Sequence, residues 1–515
     1  MLKKIKPYLF PVALVLVVLH PVIELDYLIA TYLPIRFTTL INFIILPLLI
    51  LLCFLSYEKD KKRLFILALL YGLPFIIYFF LHCKTSNYLS YNLFLPDNYV
   101  FLIKDEIVYT ITLLLPLVYI YFFYQDEIKE EWLEIATITS SLTVALPIFL
   151  SNLFICSYST YEGYTKDNIL SWFSLPFSEN NRPRKYASKF FFKEGNTIGI
   201  LLVCILPLLY YFFSKAKGKK KAFIGSLIAI HSLAMIILST RVATYSTILI
   251  PLALFFIHLI LTLLKQDKLQ KSFLVFTLIM MIFNGLIIPF SPAYQNQKID
   301  AMDYGYVIEH DQERNDIKQE VKRGGDGLIP YSKEWYDYWT YIFEDYSFMI
   351  GVTPPIYYTK WYDYHHDPKF WADLIFDYEL SERVNGRQIE NIFTKYKWDN
   401  LNNTQKLSGL GYGTFMRGGI LIEQDFKMQY YAYGLVGFIF LMGPWLVTYI
   451  YAALKLITGY SKGKWTFLSI ILMMSITLAF ASAYLSGHCL DELSVSLFIS
   501  LCFAILLRRL NYEQA

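Results

Sequence analysis

Long apolar runs alternate with short polar breaks along this chain. The runs, dominated by Leu, Ile, Phe and Tyr, fall near 8–24, 37–57, 63–83, 107–124, 134–156, 197–213, 222–239, 243–263, 272–291, 430–453, 465–486 and 492–508. A stretch of about 20 apolar residues is what a helix needs to cross a bilayer. The pattern therefore predicts an all-α polytopic membrane protein with about 12 transmembrane helices. Composition agrees: 56% of the 515 residues are hydrophobic and 17% charged, against about 45–50% and about 25% in soluble domains. The start, MLKKIKPYLF, is basic and then apolar like a signal peptide, but no small-x-small cleavage site follows it. It is read as an uncleaved first span.

Charge orients the spans. With Lys3, Lys4 and Lys6 in the cytoplasm, YEKDKKR (57–63), QDEIKEE (125–131), SKAKGKKK (214–221), LKQDKLQK (264–271), LITGYSKGK (456–464) and the tail RRLNYEQA share that side. All but QDEIKEE are rich in Lys or Arg, and the short loops opposite carry few. The positive-inside rule then places both termini in the cytoplasm. Two segments on the other side are long, 158–195 and 293–428. The second carries 22 acidic and 15 basic residues and five of the nine Trp. Its length exceeds that of a connector, so a mostly helical external domain is expected between helices 9 and 10. The expected divisions are 1–195, 196–292, 293–428 and 429–515.

The polar stretch KLSGLGYGTFMRGGILIEQDFKMQ leads from this domain into the tenth span. Gly409, Gly411, Gly413, Gly418 and Gly419 crowd it, and Glu423 and Asp425 follow. Glycines let a chain turn and let a ligand approach the backbone. Acids at a helix start are also stabilised by the helix dipole alone. Arg241, in LSTRVATYS, sits at a tight outer turn between spans seven and eight, where a cation is costly and suggests function. Its fork can grip a phosphate, or it can simply snorkel to the interface. Arg387, in ERVNGRQIENIF, has Arg383 and Arg417 as neighbours of the same kind, and NRPRKYASKFFFKEGN (181–196) adds a basic knot. The aromatic runs EWYDYWTYIFEDYSF and YYTKWYDYHHDPKFW suit either sugar stacking or a domain core. His365 and His366 lie among them, and His488 lies at the outer mouth between spans eleven and twelve; each is a candidate base or a solvated histidine.

Other chemistry is missing from the pattern. There is no GxxxxGK[ST] for ATP and no metal-ligand spacing. The six cysteines are scattered without CxxC pairing. An outward-facing site without nucleotide motifs needs a substrate that arrives activated, such as a lipid-diphosphate-linked sugar.

Several motifs, in order, resemble the O-antigen ligase/O-antigen polymerase superfamily of bacterial envelope proteins. EGNTIGILLVCILPLLYY resembles its Asn-x-Leu/Ile-Gly helix, and LSTRVATYSTILI its Arg-bearing turn. VNGRQIENIF resembles its Ser-Gly-Arg segment, with Asn385 in place of Ser. LSGLGYGTF, ILIEQDF and YYAYGLVGFI resemble its closing Gly-x-Gly, Glu-x-Asp and Tyr-Gly-x-x-Gly block. The resemblance covers roughly 195–508. It implies a membrane-embedded, metal-independent glycosyltransferase without cofactors, working on the outer face of the bacterial cytoplasmic membrane. Such a protein moves glycan from a polyprenyl-diphosphate-linked oligosaccharide to a hydroxyl of a glycan or envelope acceptor. Arg241 and Arg387 would hold the diphosphate, and Asn196, Gly411, Gly413 and Arg417 are secondary candidates. Ligases of this family use a loop His as base, whereas Glu423 and Asp425 stand before span ten here. Together with His488 they are the catalytic candidates, and the substitution favours a polymerase-like or Gram-positive variant. The expected partners are the bilayer, the lipid-linked oligosaccharide and other polysaccharide-assembly proteins, with no nucleic acid.

Two other readings remain. A lipid-linked oligosaccharide flippase or other 12-helix transporter fits the span count. However, the large loop after span nine breaks the two similar halves usual in carriers. A non-catalytic assembly or sensor protein with a carbohydrate-binding loop would tolerate loss of both arginines.

Overall fold

The computed structural model describes residues 2–56, 62, 65, 66, 68–94, 99–125, 128–160, 163–173, 186–303, 305–350, 354–460 and 463–512. The described residues form helices and no strand. Ten helices are long and apolar enough to cross a membrane, and eleven if the broken pair Asp425–Leu441 and Gly443–Thr458 forms one span. The remaining expected position, 37–57, is occupied by the helix Phe37–Ser56, some of whose side chains lie outside the described residues. The all-α polytopic expectation holds.

The chain divides into two compact units. One comprises 1–70, 108–297 and 441–515, and the other 71–107 and 298–440. The third expected span from residue 71 onward, with the residues just after it, therefore groups with the large external segment rather than with its sequence neighbours.

The first unit is built around the helix Gly195–Lys215. Every residue from Thr197 to Ser214 is buried, as an all-apolar helix requires. The helices Glu130–Leu153, Gly218–Leu238, Arg241–Leu263, Phe467–Leu485 and Leu493–Asn511 pack against it. Lipid tails are as apolar as leucine, so close packing and internal hydrogen bonds must hold such a bundle. Gly199 supplies the packing: a Cβ there would lie 2.8 Å from Thr240 Oγ1, at the start of the helix Arg241–Leu263. Hydrogen bonds supply the rest. His231 joins Leu202 O and Ser141 Oγ at 2.9 and 2.8 Å, and Ser500 Oγ donates to Pro116 O at 2.8 Å.

The second unit combines the helix Leu73–Asn92 with the helices of 298–440. Its core is aromatic. Trp335, Trp339, Phe343, Tyr357, Tyr362, Phe370, Trp371 and Phe393 are buried, so the aromatic runs of the sequence are largely core. Arg383 is fully buried too. Its Nη1 donates to Met349 O at 2.7 Å and its Nη2 pairs with Asp311. It is a strut, not a surface cation.

Arg383→Met removes a fully buried guanidinium from Met349 O and from Asp311, which stays paired with Arg314 at 3.0 Å. The cost is therefore that of a charged hydrogen bond, about 1.5–3 kcal/mol. In detergent, the 298–440 segment of this variant is expected to become protease-sensitive at a lower temperature than in the wild type. Identical sensitivity would show that the pair contributes nothing.

Candidate functional site

In the second unit, Arg387 opens the helix Gly386–Asp399. Asn385 caps that helix, its Oδ1 accepting from Arg387 N at 3.1 Å. Gly386 leaves room for a tyrosine, since a Cβ there would lie 3.1 Å from Tyr357 Oη. The Arg387 Nε donates to Glu423 Oε2. Among the described residues no other contact engages the guanidinium, whose side chain is 38% exposed. Its two terminal amino groups make no hydrogen bond to the described residues, and such a fork can grip phosphate oxygens in pairs.

One turn further on, Glu390 points to the same cluster. Tyr357 Oη donates to its Oε1 at 2.9 Å, while its buried Oε2 has no partner among the described residues. Burial, and then the charge of Glu423, push the Glu390 carboxyl from 4.5 up to about 8. At neutral pH it is mainly a neutral acid. The sequence reading missed Glu390. The clue was available in its spacing, i+3 from Arg387 on one helix face.

The two acids before span ten part company. Glu423 is half-buried against Arg387, whereas Asp425 is fully buried at the start of the helix Asp425–Leu441. The glycines approach the chain itself. Leu410 N and Gly411 N donate to Tyr431 O and Ala432 O at 2.9 and 2.8 Å. A Cβ on Gly411 would lie 2.6 Å from Ser86 Cβ, and one on Gly413 would lie 2.7 Å from Leu102 O. Gly413 N donates to Glu106 Oε2 at 2.6 Å, and Glu106 Oε1 lies 2.9 Å from His82 Nε2. The free side of Gly411 and of Gly413 is filled by protein. Arg417's side chain lies outside the described residues, as do residues 181–185 of the basic knot. His365 is exposed and pairs with Asp363 at 2.8 Å.

In the first unit, Arg241 is the first residue of its helix. Thr240 caps that helix, its Oγ1 accepting from Ala243 N at 3.3 Å. Arg241 is exposed and makes no hydrogen bond or ion pair to any described residue. Its charge adds to the positive end of a helix dipole, a combination suited to an anion. Asn196 is half-buried in the first turn of the helix Gly195–Lys215. His488 adopts a left-handed φ of 54°. Its Nδ1 lies 4.0 Å from Asp491 Oδ2, which accepts from Tyr109 Oη at 2.9 Å. Among the described residues no cluster of His, Cys, Asp or Glu has the form of a metal site.

A family model described as O-antigen ligase like membrane protein matches residues 7–513. No curated protein and no solved structure matches the chain.

Glu390 gives the second unit a pH-dependent stability. Between 4.5 and about 8 the folded state keeps a proton that the unfolded chain releases, so stability falls as pH rises through that window. Glu390→Gln removes this dependence. From pH 5 to pH 9 the apparent melting temperature of the variant is expected to fall less than that of the wild type. Parallel curves would mean that Glu390 ionises as an ordinary carboxyl.

Proposed function

The chain belongs to the O-antigen ligase like membrane proteins, and on that premise we propose that it is a polymerase-type glycosyltransferase of cell-surface polysaccharide assembly. The donor is a glycan on a polyprenyl diphosphate, and the acceptor is a hydroxyl of another glycan or envelope component. The reaction runs on the outer face of the cytoplasmic membrane, with both termini inside. The observation that carries this reading is the pair of uncommitted guanidiniums. Arg241 has no partner among the described residues, and Arg387 uses only its Nε.

Each arginine is proposed to bind diphosphate oxygens. As the bond from the anomeric carbon to the leaving oxygen breaks, negative charge grows on the diphosphate. Donors already aimed at that charge lower the barrier without reorganising. Glu423 has a positioning role. Its contact with Nε fixes the Arg387 fork and leaves both amino groups for the ligand. Glu390, protonated near neutral pH, adds no repelling charge behind the phosphate site. His488 and Asp425 are weaker candidates, the first turned towards Asp491 and the second buried.

Arg241→Ala and Arg387→Ala are each expected to lower transfer by about 10²-fold or more, the usual cost of losing one such donor, with normal membrane insertion. The readout is the envelope polysaccharide of a deletion strain complemented with each variant. Single repeat units on the carrier lipid indicate lost polymerisation, and full-length polymer still on its carrier indicates lost ligation. Normal polymer from either variant would reject the arginine assignments, and repeat units trapped on the cytoplasmic face would favour a flippase.

A further inference from the structure

A second polar cluster lies in the first unit, where the helices beginning at Gly195 and Leu493 meet the end of the first span. Glu24, Lys193, Glu194, Thr197 and Glu492 supply the polar lining of a half-open cleft with ≈ 10 Å³ of free space. That is about the minimum that holds one water or one hydroxyl group. Thr197 is 3% exposed, and its Oγ1 has no hydrogen-bond partner among the described residues. A buried hydroxyl left unpaired is costly, so a cleft beside it points to a missing ligand atom.

Glu24 and Glu492 differ in their commitments. Glu24 Oε2 accepts from Ser494 Oγ at 2.7 Å, and Ser494 Oγ also lies 3.1 Å from His20 Nδ1. The Glu492 side chain is 18% exposed, and its ion pair is with Lys193, Oε1 being 3.6 Å from Nζ. That is an ion pair without a hydrogen bond, so the Glu492 carboxylate is reachable and unsatisfied. An anion in the cleft would face three carboxylates, Glu24, Glu194 and Glu492, and a cation would face Lys193. A neutral group that both donates and accepts meets neither penalty. A sugar hydroxyl is such a group, donating to Glu492 while accepting from Thr197 or Lys193.

We propose that Glu24, Lys193, Thr197 and Glu492 form a hydroxyl-binding subsite for the acceptor glycan, with Glu492 taking the acceptor's proton. This rests on the glycosyl-transfer reading. The acceptor O–H bond breaks and its proton passes to Glu492. The freed oxygen bonds to the anomeric carbon. The bond from that carbon to the diphosphate oxygen breaks, and its electron pair leaves with the diphosphate. Glu492 later releases its proton to water through the open side of the cleft.

Burial pushes Glu492 up to about 7, with Lys193 pulling it down and Glu24, then Asp491, pushing it up. His488, on the same turn, also faces it and pulls it down. A base works best with a value near the working pH.

The test uses membranes containing the full chain and the lipid-linked glycan extracted from a deletion strain, which serves as donor and acceptor. Glu492→Gln is expected to slow transfer by about 10²-fold or more, the usual contribution of a general base. It is also expected to abolish the fall in rate that the wild type shows on acidification, while still retaining radiolabelled lipid-linked glycan. Glu492→Asp should recover part of the rate. Thr197→Val keeps the shape and removes the unpaired hydroxyl, so it should fold normally and raise the KM by about 3- to 10-fold, the worth of one hydrogen bond. Wild-type rates and an unchanged acid limb in Glu492→Gln would overturn the subsite and leave it a water site, with the transferase reading intact. Absence of transfer by the wild type would overturn both. If Glu492→Gln fails to accumulate, an unchanged KM in Thr197→Val overturns the subsite.

Discussion

The second unit hangs on one buried pair, His82 with Glu106. Both side chains are fully buried, and their polar atoms are all committed. His82 Nε2 lies 2.9 Å from Glu106 Oε1, His82 Nδ1 lies 2.6 Å from Ser408 O, and Glu106 Oε2 accepts from Gly413 N at 2.6 Å. A charge or dipole taken out of water is tolerable only when its partners are complete. Three separate stretches must therefore come together at once: the helix Leu73–Asn92, the start of the helix Ile103–Tyr124 and the glycine segment. Gly413 has to be glycine for the same reason, because a Cβ would press on Leu102 O. Tyr78 Oη tightens the arrangement by donating to Tyr433 O.

The chain beyond the glycine segment inherits its position. Residues 420–424 leave it as non-helical chain and deliver Glu423 to Arg387. A surface ion pair alone would hold that arginine weakly. Here both ends are fixed by rigid backbone, Glu423 through the glycine segment and Arg387 through the Asn385 cap. The guanidinium is consequently aimed before any ligand arrives, and pre-organisation of this kind is what a charge-stabilising site needs.

The sequence made the class of fold legible because a membrane span leaves a long, one-dimensional signal. Short motifs also drew attention to Arg241, Arg387 and Glu423, of which the structure brings Arg387 and Glu423 together. The glycines were noticed but their partners were not, because His82 and Glu106 lie more than 300 residues from Gly413 and no local pattern reports such a contact. Glu390 and Glu492 were missed for a related reason. For Glu390 the i+3 spacing from Arg387 was a weak clue, but what distinguishes both is burial and neighbours. Glu492 looks like an ordinary helix-start acid until Lys193, Glu24 and Thr197 are seen around it. The joining of residues 71–107 to the external segment was also invisible, because hydropathy assigns that helix to the membrane and says nothing of what it packs against.

The carboxylates sort by what holds them. Glu423 accepts a hydrogen bond from a guanidinium, which makes it an anchor for that group. Glu390 is buried behind that pair beside Tyr357 and carries its own proton near neutral pH, so it can donate a hydrogen bond but has little capacity to take one more proton. Asp425 is sealed at a helix start, where its charge serves the helix dipole. Glu492 and Glu423 both keep solvent access, a neighbouring cation and an oxygen without a hydrogen bond among the described residues; what sets Glu492 apart is that its cation, Lys193, stands at ion-pair distance without a hydrogen bond, whereas Glu423 accepts one from Arg387. Proton transfer needs all three, because the group must be reached, must be charged, and must have a lone pair to offer. Candidate bases in this chain are therefore ranked by their unmet hydrogen bonds, and proximity to a recognisable motif is the weaker guide.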